Sequence, residues 1–176
     1  YRLTKGLHLP FEALLDDKIE LNVFDGMILP NLKMSGENET CAFLNEEGRC
    51  SIHAVRPGIC RLFPLGRVYE KGSFQYFLQI HECKNENRTK VKVKKWIDTP
   101  DLKQNDVFIL SWHDLVSEVQ AKMMTASDDA LFKKINMFLL QQFYMEPYRE
   151  EDFYVQFRER LAKTKEVVPL LWRNYD

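Results

Sequence analysis

Thiols are the residues of this chain best suited to chemistry. Cys41, Cys50, Cys60 and Cys83 are its only cysteines, and all lie in one stretch of the sequence. Between Cys41 and Cys50 sits Asn45-Glu46-Glu47-Gly48, a turn signal whose glycine can take a positive φ. If this segment folds back, both sulfurs stand at the feet of one small loop. Between Cys60 and Cys83 sits Glu70-Lys71-Gly72, flanked by Arg67-Val68-Tyr69 and by the alternating, aromatic-rich run Phe74 to Ile80. That pattern predicts a β-hairpin. Two loops, each closing on a cysteine pair, would bring the four thiols to one point. Convergent thiols have three readings. They hold a metal, since thiolates are soft ligands that suit zinc or iron–sulfur clusters. They form two disulfides. Or they pack as small inert hydrophobes. There is no CxxC, the usual knuckle of a zinc ribbon.

The neighbours of the cysteines bear on that choice. Arg56, Arg61 and Arg67 surround Cys60 in sequence. A positive neighbour favours the thiolate that a metal needs, and guanidinium groups offset the negative charge of a multi-thiolate site. Arg56 and Arg61 are also the candidates for holding an anionic cofactor group. The plainer alternative pairs these arginines with Glu46, Glu47 or Glu70 at the surface, for little gain. Pro57 and Pro64 stiffen the chain on either side of Cys60. His53 and His81 are alternative nitrogen ligands, or ordinary partly buried histidines. GxGxxG, P-loop, HExxH and GxSxG motifs are all missing, which argues against a nucleotide-dependent enzyme or a motif-bearing hydrolase.

The run Cys50-Ser51-Ile52-His53, then Arg56-Pro57, then Cys60-Arg61-Leu62-Phe63-Pro64, preceded by Cys41-Ala42-Phe43-Leu44, resembles the YkgJ-type cysteine-cluster family of zinc- or iron-chelating domains. The resemblance covers about the first hundred residues. It implies that Cys41, Cys50, Cys60 and Cys83 are metal ligands, for zinc, iron or an iron–sulfur cluster. The family carries in addition an upstream Cys-x-x-Cys-Cys segment, which this chain lacks. Because the sequence opens at Tyr1 with what reads as a helix end capped by Gly6, it is expected to begin inside a domain. Some proteins with a related cysteine domain are flagellin lysine N-methylases, and that likeness implies methyl transfer to protein lysine as the enzymatic alternative.

The elements that must position these residues point to an α+β fold. Residues 1–100 are expected to form a small cysteine-cluster domain of short strands, a hairpin and short helices. Residues 101–176 are expected to form a helical region packed on it. The chain has 176 residues, 45% of them hydrophobic, enough for a packed core. A short helix is expected at Leu9–Leu15, with Pro10 in its first turn. Leu21–Met34 reads as extended, with strand fragments at Ile28-Leu29 and Leu32–Met34. The basic run from Lys84 to Lys95 fits either a strand or a helical turn; it is read chiefly as a solvated face, with an anionic partner or phosphate backbone as the sharper alternative. Further on, Phe108, Trp112, Leu115, Val119 and Met123 form one helical stripe. Phe132, Ile135, Leu139 and Phe143 form a second, after an N-cap at Ser127. Phe153, Phe157 and Leu161 form a third, with Leu170-Leu171-Trp172 as an apolar tail.

A formal net charge of -1 gives no global pull toward nucleic acid or membrane. No apolar run approaches the length of a membrane span. Cysteines clustered beside arginines suit a reducing compartment, so the cytoplasm is expected. The leading expectation is a metal-binding module whose C-terminal helices meet a protein partner. The alternative is a protein-modifying enzyme, in which Arg56, Arg61, His53 or His81 would line a pocket beside the cysteines.

Overall fold

The computed structural model describes residues 1–82, 89–149 and 152–173. Cys83, Lys84 and Arg88 lie outside the described residues. The fold is α+β, built from short antiparallel strand pairs and helices, with the long helices toward the C-terminus. The chain divides into two compact units, Tyr1–Val55 with Leu115–Asp176, and Arg56–Asp114. No helix among the described residues is long and apolar enough to cross a membrane.

The first unit opens with α1 (Arg2–Leu7) and α2 (Phe11–Leu14). The cap of α1 is His8, left-handed at φ 55°, and not Gly6. Gly6 lies inside the helix because the Val55 side chain is pressed against its backbone, leaving no room for a Cβ. Pro10 is the N-cap of α2, which buries Phe11 and Leu14. The stretch read as loose extended fragments is a regular hairpin, β1 (Ile19–Phe24) with β2 (Met27–Leu32), in the register Ile19↔Leu32 to Phe24↔Met27. Its turn is Asp25-Gly26, with φ of 47° and 81°. Positive φ at both central residues matches the strand twist, and is why Asp-Gly is a strong hairpin signal. β3 (Met34–Ser35) and β4 (Thr40–Cys41) form a second, very short pair.

The helical stripes supply the interior of this unit. α5 (Leu102–Thr125) starts in the second unit and, from Leu115 on, belongs to the first; it buries Leu115, Val119 and Met123. α6 (Asp129–Leu140) buries Leu131, Ile135, Leu139 and Leu140. Its N-cap is Asp128, whose carboxylate accepts from Leu131 N at 2.9 Å, so the expected cap at Ser127 is displaced by one residue. A carboxylate there also complements the helix dipole, which a serine hydroxyl does not. A π-helical turn (Gln141–Met145) ends the segment, and α7 (Phe153–Arg173) buries Phe157, Leu161 and Val168. Pro169 sits inside α7, so Leu170–Trp172 continue the helix and are not a separate tail.

Two buried polar groups lock these elements. Asn136 on α6 is only 4% exposed. Its amide oxygen accepts from Ile28 N at 2.7 Å, and its amide nitrogen donates to Gly26 O at 2.8 Å and Phe132 O at 3.0 Å. Arg160 on α7 donates from Nη1 to Gln142 O and Glu146 O and from Nη2 to Pro147 O, all within 2.9 Å, and lies 3.7 Å from the Tyr148 ring centroid. It thereby satisfies carbonyls left open where the π-turn ends. Burial pushes the Tyr148 phenol up, against the pull of the Arg160 charge. Asn136→Leu should orphan the hairpin-turn amide and carbonyl together. The expected loss is roughly 2–4 kcal/mol, read as a fall in the urea midpoint; an unchanged midpoint would show that the clamp carries no stability.

The second unit holds α3 (Gly58–Leu62), the hairpin β5 (Leu65–Glu70) with β6 (Ser73–Leu78), α4 (Val93–Ile97) and the start of α5. The hairpin expected from the aromatic alternation is present, with Gly72 at φ 73° in its turn, though β6 stops at Leu78. The end of the basic run is helical, not strand, because Val93 and Ile97 are one turn apart and Ile97 is buried.

Candidate metal centre

Cys41 and Cys50 belong to the first unit, and the sequence around them folds back as the turn signal predicts. Gly48 N donates to Asn45 O, Asn45 N to Arg49 O, and Arg49 N to the Asn45 side-chain oxygen at 2.7 Å. Ser51 closes the base, both its N–H and its hydroxyl donating to Phe43 O at 2.9 Å. The two cysteines are not register partners, however. Cys50 is bridged to Leu44, and Cys41 pairs with Met34 across β3–β4. The tight turn consumes Asn45–Arg49, so the residue opposite Cys50 is the one just before the turn.

Both thiols are half-buried and free of disulfides. Both pack against one apolar cluster, made by Leu3, Phe11, Leu14, Ile19, Phe43 and Ile52. The loop is tied to the first hairpin by Lys33 N to Lys18 O, Ala42 N to Lys33 O, and Lys18 Nζ to Ala42 O at 3.3 Å. α1, α2 and β1 thus position the two sulfurs by burying the side chains next to them, Phe43 and Ile52.

Cys60 lies in the second unit, half-buried on α3 and not on the strand that follows. Phe63-Pro64, joined by a cis peptide bond, separates α3 from β5. Cys60 is therefore not at the foot of the β5–β6 hairpin, as the sequence symmetry suggested. His53, in a single 3-10 turn, and His81, just after β6, are both exposed. Among the described residues, no three His, Cys, Asp or Glu side chains stand together as a metal site. The described donors thus have the softness that zinc or iron prefers, but not the number that a closed tetrahedral site requires.

The arginines near Cys60 are built into the second unit. Arg61 is 7% exposed. Its Nη1 donates to Asp98 O at 2.7 Å and stands 3.6 Å from the Asp98 carboxylate, and its Nε donates to Arg56 O at 3.4 Å. It joins the chain before α3 to the left-handed C-cap of α4. Arg56 is half-buried, and its Nε has no hydrogen-bond partner among the described residues. Arg67 packs over the Phe74 and Tyr76 rings, at 5.2 and 5.5 Å from their centroids.

Arg67 also belongs to a polar cluster that sequence reading missed. Tyr76 is its cross-strand partner, and Asp106 on α5 lies close enough to feel both. Arg67 Nε, Tyr76 Oη and Asp106 Oδ1 are all buried without a well-formed hydrogen bond. Desolvation pushes the Tyr76 phenol up, with Arg67 pulling the other way. Desolvation also pushes the Asp106 carboxyl up, opposed by the Arg67 charge and Tyr76. Beside them the Tyr69 and His113 rings stack at 3.6 Å and 7°, holding the hairpin on α5. The alternation Arg67, Tyr69, Phe74, Tyr76 put these side chains on one face; nothing local in the sequence tied that face to Asp106.

Residues 13–94 match the model of the CxxCxxCC family, whose description is "Putative zinc- or iron-chelating domain". That segment, a little under half of the chain, contains all four cysteines and is similar to this family of domains. No curated protein matches the chain, and no solved structure matches it.

Two outcomes follow from the arginine and carboxylate geometry. Arg61→Ala should leave Asp98 O and Arg56 O without their donor, costing about 1–3 kcal/mol in thermal or urea unfolding; a neutral result would mean that the tie is dispensable. For Asp106, the folded carboxyl titrates above its ordinary 3.8. Its favourable contribution is therefore present below that value and lost as pH rises through the folded pKa. Asp106→Asn should raise the melting temperature at pH 7 and converge with the parent in acid; destabilisation at pH 7 would contradict this sign.

Proposed function

We propose that this protein chelates zinc or iron through Cys41, Cys50, Cys60 and Cys83, and that it works in a reducing compartment such as the cytoplasm. The observation that carries the reading is the family match over residues 13–94, the segment that holds every cysteine of the chain. The structure supplies support of a local kind. The Cys41–Cys50 loop is cross-bonded at its turn and base, and its two thiols pack on one apolar cluster. Such a loop loses little conformational freedom when a metal binds. Thiolates suit zinc and iron alike, so the donor type alone leaves both metals in the proposal.

Anaerobic purification of the full chain, followed by elemental analysis and an absorption spectrum, tests this. Stoichiometric zinc in a colourless protein, or iron with visible thiolate-to-iron absorption, is the expected result. Cys41→Ser and Cys50→Ser should each lower metal content well below that of the parent. A metal-free protein, or one that keeps its metal with all four cysteines changed to serine, overturns the proposal.

A further inference from the structure

Helices α3 and α4 of the second unit pack against one another. Their outer side is unusual for so small a unit: Ile59 is 66% exposed, Phe63 48% and Trp96 43%. Ile59 and Phe63 are one turn apart, so they share a face. Trp96 is fixed beside them, its indole N–H donating to Phe63 O at 3.0 Å. That bond satisfies the only polar atom of the indole, and the ring surface turned outward is wholly apolar.

Lysines flank Trp96 along the sequence of this unit. On α4 the inward residue Ile97 is buried, while Lys94 and Lys95 are exposed; Lys90 and Lys92 on the approach are exposed too. No acidic side chain among the described residues pairs with these four lysines. The acid that follows α4, Asp98, lies 3.6 Å from Arg61. An apolar strip on a helix whose four neighbouring lysines carry no ion pair among the described residues calls for a partner that brings both an apolar side chain and negative charge.

We propose that this strip docks a short acidic peptide segment carrying an aliphatic or aromatic anchor side chain. The strip spans two helices of five residues each, which suits a few peptide residues and not an extended surface. An anionic membrane fits less well, because an interfacial tryptophan offers its polar end to the headgroups, and here that end is taken up by Phe63 O. Single-stranded nucleic acid would want a ladder of open aromatic faces. The proposal stands apart from metal chelation, since none of its residues is a ligand.

Fluorescence anisotropy on the full chain provides the test. The probe is a fluorescein-labelled decapeptide alternating Glu with Leu and Phe. Controls are the same peptide with Lys for Glu, vesicles of phosphatidylserine in phosphatidylcholine, and oligouridine. The acidic peptide should bind, and more weakly as salt rises. The double variant Lys94→Glu, Lys95→Glu should weaken it by about tenfold or more. Ile59→Ser should weaken it with the salt dependence unchanged. All three sites are exposed, and an unaltered circular dichroism spectrum checks the fold. Absent binding, equal binding of the Lys peptide, indifference to these substitutions, or binding of vesicles or oligouridine in place of the peptide each overturns the proposal.

Discussion

The first unit hangs on one buried amide. Asn136 has an acceptor and a two-hydrogen donor on the same planar group, and the first hairpin presents a matching pair within hydrogen-bond reach, the C=O of Gly26 in the turn and the N–H of Ile28 just after it in β2. A hydrophobic residue at that point of α6 would leave both turn groups dry and unpaired, the costly way to bury backbone. The clamp has a consequence for chemistry. The hairpin it holds continues through Lys18 and Lys33 into the bonds that fix Ala42, next to Cys41. The Cys41–Cys50 loop is thus held in part by a helix remote in sequence.

The second unit shows arginine put to a different use from the one its position beside Cys60 suggests. A guanidinium has five donors and no acceptor, so once buried it needs carbonyls. Arg61 finds them at Asp98 and Arg56, and its charge is partly met by the Asp98 carboxylate. Arg160 in the first unit follows the same logic on the carbonyls of Gln142, Glu146 and Pro147. In both cases a residue type associated with anion binding closes backbone that helix ends leave open. Arg67, Tyr76 and Asp106 are the contrast: Arg67 Nε, Tyr76 Oη and Asp106 Oδ1 are buried without good bonds among the described residues, and burial outweighs the attraction of Arg67 for the Asp106 carboxylate.

Chelation and docking, as proposed, draw on different properties of the same short helix. Cys60 is half-buried on α3, while Ile59 next to it is turned out to solvent. Successive helical residues point about a quarter-turn or more apart, so one turn can serve an interior thiol and an exterior contact at once. That economy suits a unit too small for separate elements.

The sequence by itself determined the features that rest on local rules. The β5–β6 hairpin followed from period-two aromatics around Glu70-Lys71-Gly72, the Cys41–Cys50 loop from Asn45–Gly48, and the long helices from apolar stripes at three- and four-residue spacing. The cysteine motif was enough to reach the family. Two further features are equally local: Asp25-Gly26 is a hairpin turn, and Asp128 outranks Ser127 as a cap because it brings charge as well as an acceptor. Only the tertiary structure decided the rest. That Gly6 serves close packing against Val55 and not a cap, that Arg61 ties α3 to the end of α4, and that Asn136 meets a turn more than a hundred residues away all depend on partners distant in sequence. Symmetry of spacing misled for the same reason. Cys41 and Cys50, equidistant from a turn, would lie opposite one another only if the whole intervening chain were strand, and the tight loop Asn45–Arg49 pairs Cys50 with Leu44 in place of Cys41.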